Sequence, residues 1–333
     1  SSDLTSRFTM QALQLPYTVV ILLLVGGVLT DSVFHCKDYL RYLALNTCIV
    51  ENVDLDVAPD LGNLTFPNET DLEFRNARFR FLGVELFQLM ERTKQLTLRG
   101  GFTREIIFWS VSIEVLRVIN TDLAVFDVLG EPNHSLKQLA IRSALFSRWS
   151  PSMMYLEALE VIDVAYCNFT SFDLDRLGGF KKLRVLDLSN NKIQALDSGP
   201  FLKLENLEEL YLQGNQLEFM WRFPDVVPGL KFITVSDNRW SCNWVVMARN
   251  TIWLMQVTLM DSDFNCGTGW ENSGGLCCKR SKVELNGEDT ATLRPYVQGG
   301  VLDILIVEKD NETHAVGAEM GNSAVYLDDP LAV

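Results

Sequence analysis

The stretch LRVLDLSNNKIQALDSGPFLKLENLEELYLQGNQLEFM, Leu183 to Met220, states one phrase twice. Leu183, Leu186, Leu188, Asn191, Ile193 and Leu196 return as Leu207, Leu210, Leu212, Asn215, Leu217 and Met220. A chain that repeats itself at a fixed period builds one small unit again and again, and such a unit cannot bury its apolar face without a stacked neighbour. Copies continue on both sides. Leu230, Ile233, Val235, Asn238 and Trp240 follow the pair, and Leu159, Ile162, Val164, Cys167, Phe169 and Phe172 precede it. Weaker copies run upstream through Leu136, Leu139 and Ile141, then Ile113, Leu116 and Val118, then Leu96 and Leu98, Leu72 and Phe74, and Cys48 to Leu55. First positions fall near residues 45, 69, 93, 113, 136, 159, 183, 207 and 230, which makes about nine units.

The pattern is the leucine-rich repeat, L-x-x-L-x-L-x-x-N-x-L, in which cysteine substitutes for the asparagine. It predicts an α/β fold: a leucine-rich-repeat solenoid with a curved parallel β-sheet on the concave face, closed by disulfide caps. Each unit supplies a short strand, and the asparagine satisfies backbone groups in the turn that leaves it. A thiol does this poorly, so Cys167 reads as a small packed hydrophobe. Later apolar positions, among them Phe180, Phe201 and Phe223, are expected to fill the outer core.

An open stack exposes leucines at both ends, so each end needs a cap. Cys36 and Cys48 bracket the first repeat and read as an N-terminal disulfide cap, while Cys242, Cys266, Cys277 and Cys278 follow the last one. If all four cap cysteines pair internally, the strain of a bond between 277 and 278 ties each of these two to Cys242 or Cys266. With 7 cysteines in the chain, one is left over; buried Cys167 is one candidate, and a cap cysteine reaching a second chain is the other.

The ends of the chain divide in the same way. Residues 1–33 read as a signal peptide and cleavage region, on the apolar run Leu15 to Thr30, with Met10 an alternative start. Residues 34–68 hold the N-terminal cap and first repeat, 69–241 the remaining repeats, 242–280 the cysteine-rich C-terminal cap, and 281–333 an extension. That extension contains Pro295 and no sustained apolar heptads, so no coiled coil is expected. Asn286-Gly287 suggests a hairpin turn and Val301 to Val307 a strand. After the apolar run no second stretch is long enough to span a membrane. Five sequons, at Asn63, Asn68, Asn133, Asn168 and Asn311, are the expected glycosylation sites of an exported chain.

The cap segment NRWSCNW resembles the opening of a leucine-rich-repeat C-terminal cap, with Arg239 where proline usually stands and Trp244 where a second cysteine would. A signal segment, serial repeats and an adjacent cysteine pair together resemble the mosquito leucine-rich-repeat immune proteins, over most of the chain to about Lys279. The resemblance implies a haemolymph protein. Longer members of that family carry a coiled coil, form disulfide-linked dimers and engage thioester-containing, complement-like proteins; this chain would stand with the coil-less type.

Charge narrows the function further. The net charge is -14, with no block of consecutive Lys or Arg, which argues against nucleic acid because phosphate contacts need clustered cations. The only histidines, His35, His134 and His314, are scattered, and no phosphate-cradling loop precedes a helix. No catalytic group, cofactor or metal is expected.

Binding would come from the inner wall, where alternate strand residues point away from the core. Reading between the two core positions gives Ile49, Glu73, Thr97, Arg117, Ala140, Asp163, Asp187, Tyr211 and Thr234. The position after gives Glu51, Arg75, Arg99, Ile119, Arg142, Ala165, Ser189, Gln213 and Ser236. The columns gather Arg75, Arg99, Arg117 and Arg142 in one neighbourhood and then turn acidic at Asp163, Asp187, Glu208 and Glu209. Four guanidiniums suit carboxylates or phosphates on a partner; the plainer alternative is that these charges solvate a sheet face. Tyr211 and Phe232 are candidate aromatic anchors, Phe232 equally a packing residue at the sheet edge. A glycan on Asn168 would border the wall. The expected function is non-catalytic binding of an extracellular protein or glycan, in insect innate immunity with a complement-like protein or another leucine-rich-repeat protein as partner. The alternative is a matrix, adhesion or receptor-type binding module.

Overall fold

The computed structural model of the chain describes residues 33–37, 47–56 and 64–280, and the backbone of Pro295–Gln298 and Val301–Ile304. Residues 1–281 and 282–333 form two separate units. The apolar run Leu15 to Thr30, Asn63, Asn311 and the Asn286-Gly287 dipeptide lie outside the described residues. In the second unit, Pro295–Gln298 and Val301–Ile304 pair as an antiparallel hairpin.

The first unit is a leucine-rich-repeat solenoid. Its main sheet has ten strands: β1 (Cys48–Glu51), β2 (Asp71–Arg75), β3 (Gln95–Arg99), β4 (Val115–Ile119), β5 (Gln138–Arg142), β6 (Val161–Asp163), β7 (Val185–Asp187), β8 (Glu209–Tyr211), β9 (Phe232–Thr234) and β10 (Thr258–Leu259). They lie in sequence order and every neighbouring pair is parallel. Register follows repeat phase without a slip: Leu116, Leu139, Ile162, Leu186, Leu210 and Ile233 stand opposite one another in adjacent strands. A slip by one residue would turn each of these fully buried side chains to solvent.

Behind the sheet the core is lined with aromatic rings. Phe34, Phe66, Phe74 and Phe79 contact in series, then Phe87, Phe108 and Phe126, then Phe146, Phe169, Phe172, Trp149 and Phe180. Most are edge-to-face, the arrangement the ring quadrupole favours. Phe180 is buried and Phe223 packs partly against the core, but Phe201 stands 93% exposed. The expectation that Phe201 fills the outer core is therefore corrected: Leu202 packs against the core and Leu204 is buried instead.

Each turn leaving the sheet needs a residue with left-handed backbone, and the same position supplies it nearly every time. Asn52, Asn76, Gly100, Asn120, Tyr166, Asn190, Gly214 and Asp237 all have positive φ, from 50° to 70°. Asparagine, aspartate and glycine tolerate this region, tyrosine poorly. At Gly214 a Cβ would also lie 2.6 Å from Asn190 Oδ1. Three of the upstream repeats, which lack the motif asparagine, place one a residue earlier, at this left-handed position: Asn52, Asn76 and Asn120.

The motif asparagines of the later repeats stitch neighbouring turns together. The Nδ2 of Asn191, Asn215 and Asn238 donates to the carbonyls of Val164, Leu188 and Leu212 in the preceding repeat, each at 2.9 Å. Their Oδ1 atoms accept from the N–H groups of Phe169, Ile193 and Leu217. Cys167 keeps half of this bridge, since its thiol donates to the Ile141 carbonyl at 3.1 Å. A thiol does not replace the acceptor, and the Phe146 N–H bonds instead to the Ser143 carbonyl of its own repeat. Ser143 is also where the left-handed residue is missing from the series. Its hydroxyl ties the turn to the carbonyls of Thr121 and Leu123.

Both ends are closed covalently and by hydrogen bonds. Cys36–Cys48 holds the N-terminal cap against β1, where Lys37 bridges antiparallel to Ile49. At the other end helix α2 (Cys242–Leu254) buries Trp244, Val245, Ala248 and Ile252, and Ser241 caps its start by accepting the Trp244 N–H; the shorter helix α1 (Val84–Gln88) lies in an upstream repeat. Trp244 does not leave a gap where the second cysteine of the related cap would stand. It stacks on Trp240 with centroids 3.9 Å apart. Strands β11 (Glu271–Ser273) and β12 (Leu276–Cys278) form a hairpin, and successive side chains of β12 point to opposite faces. Neighbouring cysteines therefore reach different partners: Cys278 bonds Cys242 and Cys277 bonds Cys266. Asp261 accepts the N–H groups of Val235 and Ser236, and Asp263 those of Asp237 and Cys277. Two carboxylates thus occupy the hydrogen-bond positions a further repeat would fill.

Two outcomes follow from this bonding. Asn215→Ala strands three buried groups and should lower stability by roughly 3 kcal/mol, read as a lower denaturant midpoint by circular dichroism. Cys167 is the free cysteine and burial pushes its thiol up to about 12, so a thiol reagent at neutral pH should label nothing in the native chain and one site after denaturation.

Candidate functional site

The concave wall takes its geometry from the sheet. Glu73, Thr97, Arg117, Ala140, Asp163, Asp187, Tyr211 and Thr234 stand side by side in consecutive strands as its central column. Ile49 begins that column but is fully buried beside the N-terminal cap, so the wall opens at Glu73. Beside it run Glu51, Arg75, Arg99, Ile119 and Arg142. Parallel strands about 4.8 Å apart set the spacing of both columns.

Three of the four arginines have carboxylate partners within the wall. Arg75 and Arg99 share Glu73, whose Oε1 accepts from their Nε atoms at 2.6 and 3.1 Å. Arg142 clamps Asp163 with Nε and Nη2, the latter at 2.7 Å, and that bond holds its guanidinium above its ordinary value. Arg117 has no ion pair among the described residues; its Nη1 donates to Gln95 Oε1 at 3.3 Å. The four do not form one cluster. Arg75 and Arg99 are adjacent, Ile119 separates Arg99 from Arg142, and Arg117 belongs to the central column.

The acidic end differs in kind. Asp187 accepts the Ser189 N–H at 2.9 Å but has no ion pair among the described residues, and burial, foremost among its surroundings, pushes its carboxyl above the usual range. Tyr211 donates to Glu209 at 2.6 Å, and this bond, with burial second, pushes the phenol up to about 12. Glu208 is already neutralised by Lys231 and Arg184. Phe232 is 38% exposed in the column that contains Glu209, so it belongs to the wall's flank. Tyr166 escaped the sequence reading. It is 59% exposed at the left-handed turn that follows β6, and the visible signal was an aromatic residue where the other turns have asparagine, aspartate or glycine.

Net charge therefore changes sign along the wall. Two arginines over one glutamate and the unpaired Arg117 leave β2 to β4 positive, whereas Asp187 and Glu209 leave β7 and β8 negative. Small residues, Ala140, Ala165 and Ser189, keep the floor low between these poles. Among the described residues no group of His, Cys, Asp and Glu could hold a metal, and no helix is long and apolar enough to cross a membrane. Of the sequons described, Asn68 is exposed and Asn168 half-buried. Asn133 is half-buried with its carboxamide engaged at both ends, donating to the Ser110 carbonyl and accepting from the Leu136 N–H.

A family model described as Leucine rich repeat matches residues 134–217. Opticin from Homo sapiens is 31% identical over 121 residues, which cover 33% of this chain and 34% of opticin. The chain spans about a third or less of the length of the curated relatives it matches. Among solved structures, human 5T4 (trophoblast glycoprotein) is similar at a TM-score of 0.49 and 19% identity, over 68% of this chain and 87% of that one. The leucine-rich-repeat domain of APL1B follows at 0.48 and 19%, over 70% and 79%.

The unpaired carboxylate has a consequence for pH. Burial raises the Asp187 carboxyl in the folded chain, so the folded state binds that proton more tightly and stability is lost as pH rises through the folded value. Asp187→Asn keeps the acceptor for Ser189 and removes the loss. Its denaturation midpoint should exceed the parent's near pH 7 and converge with it near pH 3.

Proposed function

We infer that this leucine-rich-repeat solenoid is a secreted recognition protein that acts by stoichiometric binding of a protein partner on its concave wall. The observation that carries this is the wall itself: the half-exposed Arg117, Asp163, Asp187 and Tyr211, flanked by Arg75, Arg99 and Arg142, are held in fixed register by parallel strands. Nothing in that row forms a nucleophile, base and orienting group in sequence. Three disulfides among the described residues suit an oxidising, extracellular compartment. The C-terminal pattern, an adjacent cysteine pair split between two elements of the cap, supports the finer reading of an immune factor of haemolymph with a complement-like or leucine-rich-repeat partner. A matrix, adhesion or receptor-type binding module, which would share the fold and the caps, is the second reading.

On this reading Arg75, Arg99, Arg117, Arg142, Asp163, Asp187, Tyr211 and Phe232 make the contact surface. Asn63, Asn68, Asn133, Asn168 and Asn311 are its proposed glycan sites, with Asn68 the most accessible of those described. A quadruple alanine variant of the four arginines leaves buried Glu73 and mostly buried Asp163 without partners and should be less stable by roughly 3 kcal/mol while still folding. It should lose at least about tenfold in affinity for the partner recovered from native fluid by cross-linking and mass spectrometry. Unchanged affinity in a folded variant sinks the arginine contribution.

A further inference from the structure

Two of the four charges in the central column, Glu73 and Asp163, are matched by a neighbouring arginine, and the two that are not define what the column lacks. Arg117 on β4 has only the neutral Gln95. Asp187 on β7 has, among the described residues, only the uncharged Ser189, through its backbone N–H and its hydroxyl. Between them lie Ala140, whose side chain is a single methyl, and Asp163, which Arg142 already holds through two nitrogens. The central column thus presents one open cation and one open anion, three strands apart, over a low and electrically closed floor.

Three inter-strand steps of about 4.8 Å separate the two Cα positions by about 14 Å. An extended peptide laid across the strands rises about 3.4 Å per residue and alternates its side chains, so residues four apart are separated by about 14 Å and face the same way. A helix at about 1.5 Å per residue needs nine or ten residues for that span, and residues that far apart stand on different faces. Distance and facing agree only for the extended form. We propose that the concave wall takes an extended segment of a protein partner carrying one acidic and one basic side chain four residues apart, the acid on Arg117 and the base on Asp187. This rests on the concave-wall reading above and names the partner's chemistry.

The test uses the full secreted chain and capped, dye-labelled Thr/Ser peptides with one Glu and one Lys, placed four or two residues apart, read by fluorescence anisotropy at low salt. The four-apart peptide should bind about tenfold tighter than the two-apart peptide. Arg117→Glu or Asp187→Lys alone should each weaken it by about tenfold, and the double reversal should recover to within about threefold, because the peptide then lies in the opposite direction. Arg117→Gln and Asp187→Asn, which preserve shape, should give smaller losses, with the unfolding midpoint unchanged in the first and no lower than the parent's in the second. Equal binding by the two peptides, absence of binding by either, intact binding in the single reversals, or no recovery in the double overturns the proposal. Ala140→Trp separates its failure from that of the wall: if this bulk abolishes binding and the charge variants do not, the wall binds through other residues. If binding survives Ala140→Trp as well, the concave reading falls with it.

Discussion

Everything in this solenoid depends on how the backbone is satisfied where the chain leaves the sheet. A parallel strand of three to five residues uses its own hydrogen bonds sideways, and the turn after it must leave the sheet without abandoning buried N–H and C=O groups. Two devices solve this: a left-handed residue that reverses the backbone in nearly every repeat, and, in the later repeats, a buried carboxamide that ties the turn to the one before. Where Cys167 replaces the carboxamide, the donor half survives and the acceptor half does not. The neighbouring turn at Ser143 is the one that departs from the rest. Sheet register, and with it the wall, follows from these turns, since each strand begins where the last turn releases it.

The wall in turn shows how a scaffold of this kind separates stability from recognition. Its charges are largely paired with each other, Arg75 and Arg99 over Glu73 and Arg142 over Asp163, which fixes their orientations at little energetic gain. Orientation is what matters at a binding surface, because side chains already held in place lose less entropy when a partner arrives. The charges these pairs leave over, the second arginine at Glu73 and Arg117 on one side and Asp187 and Glu209 on the other, divide the surface into a positive and a negative half.

Repeat phase made much of this legible in the residues. Counting from the leucines placed Glu73, Thr97, Arg117, Ala140, Asp163, Asp187 and Tyr211 in one column, and the register of β2 to β8 is that column. What the count did not reveal was lateral chemistry. It gathered four arginines without showing that three of them are answered by carboxylates in the same or a neighbouring strand. Period also says nothing about which apolar side chain turns outward, which is how Phe201 was misplaced, nor that a cap buries Ile49. Trp244 illustrates a third limit: a missing cysteine looked like a loss, but a flat ring against Trp240 fills the volume by packing. Asn52, Asn76 and Asn120 were in plain view, one position ahead of the motif. Their service is to backbone conformation, which a search for hydrophobic spacing does not weigh.

The row of repeats is in principle open-ended, yet Asp261 and Asp263 present to the last turn the acceptors a tenth unit would have presented. Their carboxylates imitate backbone that is not there. This makes the molecule asymmetric toward lengthening: a further unit spliced between two existing ones would meet a matching turn on each side. One appended after β9 would meet occupied donors and a sealed, doubly cross-linked lid. Lineages that lengthen or shorten such a chain are thus free to edit its middle, while its far end stays the fixed terminus from which length is counted.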